Sequence, residues 1–115
     1  MTGFFYLFRK KDMNIYNNIP QDLSEEVFED ILTSRNVRIE RIVSNSHHSP
    51  EDFWYDQEQG EWVIVLKGEA EIEYIDNTVL KLGTGDYVNI PARTKHRVKS
   101  TSNDGITLWL AIFYD

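Results

Sequence analysis

The sequence predicts an all-β fold, an antiparallel β-barrel preceded by one short helix. From residue 37 onwards, apolar stretches of strand length follow one another closely along the chain. Turn-forming sequences separate them, among them Asp76-Asn77 and Ser102-Asn103-Asp104-Gly105. Regularly spaced short strands with turns between them are typical of sandwiches and barrels. We therefore expect a single barrel over about residues 37–114.

The only convincing helical pattern lies before the barrel, over residues 22–33. Asp22 with Glu25 three positions later resembles a capping box, in which side chains bind the first free N–H groups of a helix. Apolar residues then recur at the spacing that places them on one helix face, at Leu23, Val27, Phe28, Ile31 and Leu32. These signals predict one short N-terminal helix.

The strands of the barrel are predicted at residues 37–43, 62–66, 70–74, 79–82, 87–90, 95–99 and 106–114. In the first of them, Val37 and Ile39 alternate with charged residues, as in a half-buried strand. The run at residues 62–66 is continuously apolar, so both faces of that strand should be buried. Pro91 ends the strand that precedes it, because proline cannot donate a ladder hydrogen bond.

The composition of the chain limits its size class, partners and compartment. A hydrophobic fraction of 41% in 115 residues supports one domain over residues 1–115 with a single core. A net charge of -7 argues against nucleic-acid binding, which needs a concentrated basic surface. The chain has no cysteine, so disulfides and thiolate metal sites are excluded. We expect a cytoplasmic protein.

Residues 1–20 are interpreted as an N-terminal extension and lead-in. The apolar run at residues 4–8 is shorter than a membrane span or a signal-peptide core, and the basic residues follow it rather than precede it. We therefore expect neither a membrane partner nor a secretion signal. Two interpretations stay open: Met13 is the biological start and residues 1–12 are an upstream extension, or these residues include a short strand that covers a sheet edge.

A glycine, a proline and a histidine near the end of the chain stand at a spacing found in a known motif. They are Gly85, Pro91 and His96. The motif commonly has a second glycine two positions after the proline, where this sequence has Arg93. The glycine and proline are expected to set turns that position the histidine.

A second group, Glu61 followed seven positions later by Gly68, encloses the apolar run of the central strand. With both groups in order and each on the right kind of strand, the chain resembles the cupin superfamily over roughly residues 37–114. The resemblance implies a small antiparallel barrel of the double-stranded β-helix or jelly-roll type.

The resemblance also implies a metal site inside the barrel. Cupins that bind metal usually carry two histidines shortly before the glutamate, where this sequence has Trp54 and Asp56 on one alignment or Tyr55 and Gln57 on the other. The predicted metal ligands are Asp56, Glu61 and His96, with Gln57 replacing the first on the other alignment. One histidine with two carboxylates suits a divalent ion such as Zn, Mn, Fe or Ni.

Two alternatives to this ligand set stay open. One of His47 and His48 replaces a missing histidine, which requires the polar loop after them to fold back across the barrel mouth. In the other, Glu61 and His96 simply pair with each other inside the core, without a metal ion.

Residues beside the predicted ligands are candidates for binding a small molecule. We predict Trp54, Tyr55 and Gln57 at the cavity entrance, because aromatic side chains supply shape and a polar tip at low entropic cost. Core packing is the competing interpretation for the aromatic residues of this group, which also include Phe53.

The sequence as a whole predicts a cupin-like barrel that binds a divalent metal ion and a small polar metabolite. Isomerase, lyase and dioxygenase chemistry are each compatible with it, and whether the protein is an enzyme stays open. A non-catalytic binding or sensor barrel and a metal-free oligomeric barrel are the alternatives. Trp62, Ile64 and Leu66 are expected on the outer face of their strand, where such apolar patches seldom stay wet, so we expect a homodimer.

Overall fold

A computed structural model describes residues 13–115, which form eight β-strands. In chain order they are β1 (Val27–Thr33), β2 (Val37–Asn45), β3 (Gly60–Lys67), β4 (Ala70–Tyr74), β5 (Val79–Leu82), β6 (Tyr87–Ile90), β7 (His96–Thr101) and β8 (Ile106–Tyr114). The extension or short strand considered for residues 1–12 lies outside the described residues. No helix long and apolar enough to cross a membrane occurs in the part of the chain that the structure describes.

The strands form two antiparallel sheets that face each other. The larger sheet has the order β1-β2-β8-β3-β6, and the smaller has the order β5-β4-β7. Side chains from both sheets meet in one buried apolar cluster, to which the larger sheet contributes Val63, Val65 and Trp109 and the smaller sheet Ala70 and Ile72. The all-β antiparallel fold predicted from the sequence is confirmed.

The central strand β3 sets which side chains reach the interior. It pairs with β8 on one side and β6 on the other. Val63 and Val65 are buried in the core, whereas Ile64 between them points to the other side of the sheet. Glu61 shares the alternation of the two valines, so its carboxylate faces the barrel interior.

The helix predicted over residues 22–33 is wrong. The segment Val27–Thr33 forms β1, which pairs antiparallel with β2 and shifts register between Asp30 and Leu32. The apolar residues that suggested a helix face include β-branched types, which fit a pleated strand well. Pairing with β2 overrides the weak helical preference of the segment.

The capping-box signal serves a turn instead of a helix start. The carboxylate of Asp22 accepts hydrogen bonds from the backbone N–H of Ser24 at 3.0 Å and from its hydroxyl at 2.7 Å. Aspartate makes this local bond in turns as readily as at helix termini, which explains why the signal was ambiguous.

The inner face of β2 is unexpectedly polar. Arg38, Glu40 and Ile42 line the barrel interior, and the apolar Val37 and Ile39 therefore point to the outside of the sheet. The strand itself was predicted correctly, but its charged residues lie inside the barrel rather than on a wet face.

Two glycines of the motifs occupy backbone conformations that favour glycine. Gly68 and Gly85 each have a φ of 89°. A Cβ at Gly68 would also lie 2.7 Å from the hydroxyl oxygen of Ser102 and 2.9 Å from the carbonyl oxygen of Ile106, so no side chain fits there. Arg93, which replaces the usual second glycine, has a positive φ of 59° as well, at a cost of roughly 1–2 kcal/mol for a residue with a Cβ.

Residues 13–18 lie across the outer side of the larger sheet. Arg41 of β2 donates hydrogen bonds to the carbonyl oxygens of Ile15 at 3.1 Å and Asn18 at 2.9 Å. The hydroxyl of Tyr16 donates to the carbonyl oxygen of Leu66 in β3 at 3.3 Å. These contacts anchor the segment to the two strands.

The outer side of the larger sheet also carries an apolar surface, which we call the outer face. It consists of the half-buried residues Ile39, Trp62, Ile64, Leu66, Leu110 and Ile112. Trp62 packs on Tyr87 of β6, with ring centroids 5.4 Å apart. Trp62, Ile64 and Leu66 thus lie where the sequence predicted them, and the homodimer inferred from them stays a prediction.

We predict that two copies of the chain associate through the outer face, because contiguous apolar surface of this kind is seldom left in water. Ile64→Lys places a charge in the middle of this face and should yield a monomer. Sedimentation at micromolar concentration should give twice 13.6 kDa for the wild type and 13.6 kDa for the variant.

Ile75→Lys is the matched control for this experiment. Ile75 follows β4 on the smaller sheet and is 54% exposed, so the same substitution there should leave the dimer intact. A wild-type protein that sediments only as a monomer would contradict the prediction.

Candidate functional site

The barrel encloses a cavity of about 220 Å³ between the two sheets. Part of its wall is apolar and comes from the core, including Val63, Ile72, Ile90, Val98 and Trp109. The polar part of the wall consists of Glu26, Arg38, Glu40, Tyr55, Gln57, Glu61 and His96. An apolar pocket with a few convergent polar groups is typical of a small-molecule site, and the volume suits a compact metabolite.

His96 begins β7 and is 4% exposed. Its backbone exchanges two hydrogen bonds with Tyr55, at 2.7 and 3.1 Å, which ties the loop before β3 to the start of β7. The ring Nδ1 lies 2.8 Å from the carbonyl oxygen of Thr94. Because a carbonyl can only accept, Nδ1 carries a proton, and Nε2 is the nitrogen at which a proton is exchanged.

Glu61 reaches the same point from the opposite sheet. Its Oε1 lies 3.5 Å from Nε2 of His96 and accepts a hydrogen bond from the amide of Gln57 at 3.0 Å. With Nδ1 already protonated, a second proton on Nε2 makes the ring an imidazolium that faces the carboxylate of Glu61. Such a pair can take a proton from a bound molecule or give one to it.

The pKa of His96 is raised above its ordinary value of 6.5. Burial is the largest single influence and lowers the pKa, but the hydrogen bonds to Glu61 and to the carbonyl of Thr94, together with the charge of Glu61, outweigh it. The imidazolium form therefore persists to higher pH than in a free histidine.

Tyr55 forms the cavity wall beside this pair. Its ring stacks on that of His96, with centroids 5.5 Å apart and 24° between the planes, and Phe53 packs edge-on against it at 4.7 Å. Burial, and then the charges of nearby carboxylates, raise the pKa of Tyr55. The phenol stays protonated and can donate a hydrogen bond to a bound molecule.

Arg38 and Glu40 are cavity residues that the sequence prediction missed. The guanidinium of Arg38 lies over the ring of Phe113, 4.3 Å from its centroid, and its Nε is 3.4 Å from a carboxylate oxygen of Glu40. Burial chiefly raises the pKa of Glu40; Arg38 lowers it, and Asp30 and Glu61 raise it further. The alternation along β2 marks these residues as one face, but nothing in the sequence says that this face is the inner one.

Glu26 reaches the cavity from the segment before β1. Its carboxylate accepts a hydrogen bond from the hydroxyl of Ser44, and that hydroxyl oxygen accepts one from the indole N–H of Trp109 at 3.1 Å. Ser44 is completely buried, so this chain of polar groups fixes the carboxylate at the cavity wall. The contact joins residues 18 positions apart and has no signal in the local sequence.

The three predicted metal ligands are not brought together. Glu61 and His96 face each other, but Asp56 lies outside the cavity, with its side chain 38% exposed and Oδ1 3.5 Å from Arg93. Among residues 13–115, no group of three His, Asp or Glu side chains is arranged to hold a metal ion. Zinc sites use three or four protein ligands, so the pair formed by Glu61 and His96 falls short of a zinc site.

Two of the three predicted ligand-binding residues line the cavity, and the third lies outside it. Tyr55 and Gln57 line the cavity, whereas Asp56 between them points away from it, so the structure follows the alignment that uses Gln57. Trp54 is half-buried beside Arg97, whose guanidinium carbon is 5.9 Å from the ring centroid, and Trp54 is not part of the cavity wall.

The two histidines of the polar loop also lie away from the cavity. His47 accepts a hydrogen bond at Nδ1 from the backbone N–H of Asn45 at 2.8 Å, and its Nε2 is 3.2 Å from the carbonyl oxygen of Ser24. His48 has Nδ1 3.0 Å from the carbonyl oxygen of Ser49. Neither ring is placed to replace a missing ligand beside Glu61.

We predict that the free energy of unfolding falls as the pH rises from about 6.5 through the raised pKa of His96. Below this range His96 carries the proton in both the folded and the unfolded protein, and its pairing with Glu61 contributes fully to the free energy of unfolding. Within the range the folded protein binds more protons than the unfolded chain, so a higher pH favours unfolding. Urea unfolding at a series of pH values, with a chelator present, measures the slope.

Glu61→Gln should remove much of this slope and lower the pKa of His96, as followed by NMR of the imidazole ring. Glu58→Gln is the matched control, because the side chain of Glu58 is 86% exposed and outside the cavity. An unchanged pKa of His96 in the Glu61 variant would contradict the assignment of the pair.

The chain matches known proteins at the level of family and fold. The family model of the Cupin domain matches residues 43–113. No curated protein matches the chain.

Solved structures share the fold closely. A protein from Ralstonia eutropha JMP134, named a putative mannose-6-phosphate isomerase, is 39% identical with a TM-score of 0.84, over 89% of this chain and 95% of that chain. A cupin superfamily protein from Desulfitobacterium hafniense DCB-2 is 18% identical with a TM-score of 0.69, over 84% and 83% of the two chains. A Klebsiella pneumoniae protein with a double-stranded β-helix domain is 13% identical with a TM-score of 0.72, over 88% and 86%. The last two show the fold alone.

Proposed function

This chain belongs to the cupin family, and we propose that its barrel isomerises a small compound with neighbouring hydroxyl and carbonyl groups by moving a proton between carbons. His96 and Glu61 are the proposed catalytic residues. The proposal depends on one observation, the approach of Nε2 of His96 to Oε1 of Glu61 at 3.5 Å inside the cavity.

The surroundings of the pair support a role in proton transfer. The carbonyl of Thr94 fixes the proton on Nδ1, so exchange is confined to Nε2. Gln57 donates a hydrogen bond to the carboxylate of Glu61, and the phenol of Tyr55, whose ring stacks on His96, is the proposed donor to a substrate oxygen. Fixed geometry of this kind is what general acid–base catalysis requires.

The proposed reaction needs no redox partner. Glu61 removes the proton from the carbon that bears the hydroxyl, while the imidazolium of His96 protonates the carbonyl oxygen, which gives an enediol. Glu61 then delivers its proton to the former carbonyl carbon, and the hydroxyl of the first carbon returns its proton to His96. The carbonyl has moved by one carbon, and both residues have regained their starting forms.

The relative from Ralstonia eutropha supports the choice among the reaction types that the sequence left open. It is named a putative mannose-6-phosphate isomerase, and it is 39% identical over 89% of this chain. Isomerisation through an enediol is also chemistry that an acid–base pair such as His96 and Glu61 can carry out.

A non-catalytic binding or sensor protein is the second candidate. It is favoured by the fact that Glu61 and His96 already face each other at 3.5 Å, as in a structural ion pair. In that case the same cavity holds the compound without changing it.

We predict that the protein exchanges a carbon-bound proton of its substrate with solvent. Mannose 6-phosphate, mannose and glyceraldehyde incubated with the protein in D₂O should include at least one compound that gains deuterium at the carbon next to the carbonyl, as followed by proton NMR. His96→Gln and Glu61→Gln should each lower the exchange rate by about 100-fold or more, the usual contribution of an acid–base group.

Glu58→Gln is again the control and should exchange at the wild-type rate. A compound that binds in the cavity and is recovered without deuterium would establish the binding protein instead. Equal exchange by the wild type and the His96 variant would remove the proposed mechanism.

The divalent ion predicted from the sequence, Zn, Mn, Fe or Ni, has its own test. Since Glu61 and His96 are the only two of the three predicted ligands that meet in the cavity, we expect no near-stoichiometric metal after equilibrium dialysis of untagged protein, and no loss of exchange activity in a chelator. Near-stoichiometric metal that disappears in Glu61→Gln and His96→Ala would instead establish the predicted metal centre.

A further inference from the structure

We infer that Arg38 binds an anionic group of the ligand at the cavity mouth, so that the ligand is a phosphate monoester or a carboxylate rather than a neutral compound. This inference rests on the proposed function for the location of the ligand, but it assigns a specificity-determining contact that the reaction itself does not require.

The position of Arg38 suits this role. It lies on the inner face of β2, contributes to the cavity wall, and keeps 39% of its side chain exposed, so the guanidinium spans the cavity and the solvent. Phe113 lies directly across from it on β8, and the guanidinium carbon sits over the ring of Phe113, 4.3 Å from the centroid. A guanidinium stacked in this way keeps its edge available for hydrogen bonds.

The charge balance of the cavity points to the same residue. Besides His96, Arg38 is the only basic side chain among the described residues of the cavity wall. Its sole ion pair within residues 13–115 is with Glu40, at 3.4 Å from Nε, and that nitrogen is buried without a hydrogen bond. The paired side of the guanidinium is therefore weakly engaged, and the remaining nitrogens can bind a ligand.

Two of the three cavity carboxylates have partners other than Arg38. Glu61 is paired with His96, and Glu26 accepts a hydrogen bond from Ser44. Glu40, the partner of Arg38, has a raised pKa, chiefly because of burial, so it loses its negative charge more readily than an ordinary glutamate.

Arginine also has the geometry for such a group. Its planar fork presents parallel N–H donors that match two oxygens of a carboxylate or a phosphate, which a lysine ammonium does not. Both anions share this chemistry, and the experiment separates them.

The test compares glucose, gluconate, glucose 6-phosphate and inorganic phosphate as probes of the wild type, Arg38→Gln and Arg38→Lys by calorimetry. At least one anionic probe should bind the wild type about tenfold or more tightly than glucose, and Arg38→Gln should remove that difference. Arg38→Lys should restore it in part. Tighter binding of gluconate identifies a carboxylate ligand, and tighter binding of glucose 6-phosphate a phosphate monoester.

Arg35→Gln is the matched control, because Arg35 is exposed in the turn between β1 and β2 and should leave every affinity unchanged. Circular dichroism checks that each variant is folded. Equal affinity of the wild type for glucose and all three anions, binding of none of the four probes, or unchanged anion affinity in Arg38→Gln overturns the inference.

Failure of the inference is distinguishable from failure of the proposed function. Anion binding that requires Arg38, without any deuterium exchange, leaves the inference standing and removes the isomerase. Deuterium exchange at an unchanged rate in Arg38→Gln, with no preference of the wild type for anions, leaves the isomerase standing and removes the inference.

Discussion

The alternation of side chains along β3 is the constraint on which the site depends. Successive residues point to opposite sides of a sheet, so Val63 and Val65 fill the core only when Glu61 also faces inward. A slip of one residue against β8 would expose both valines, at about 1.5–3 kcal/mol for each buried side chain. The burial of Val63 and Val65 thus keeps the carboxylate of Glu61 inside the cavity, although a free carboxylate is more stable in water.

The second half of the site comes from the other sheet, and it is held by backbone contacts. The backbone of Tyr55 fixes the position of His96, and the carbonyl of Thr94 fixes the proton on its Nδ1. Neither contact involves a side chain of the larger sheet. Most polar groups that line the cavity then have partners close at hand, as buried polar groups require. The partly exposed Arg38 is less completely engaged, which is why we assign the recognition of ligand charge to it.

Much of this arrangement was predictable, because it follows from strand-scale patterns. The apolar run around Ile64 identified the central strand, and motif spacing identified Glu61 and His96 as neighbours in space. Local signals failed where distant pairing decides: residues 22–33 pair with β2 instead of forming a helix. Local signals also do not show which side of a strand or loop faces inward. The structure places Gln57, and not Asp56, in the cavity.

The register shift in β1 has a consequence for how the protein behaves when it is concentrated. β1 lies at the end of the larger sheet, and Phe28, Ile31 and Leu32 on it are each more than half exposed. A straight strand with such residues would be a template on which further molecules add as extra strands and grow into fibres. The bulge between Asp30 and Leu32 breaks the regular row of backbone donors and acceptors, so open-ended growth from this rim is disfavoured.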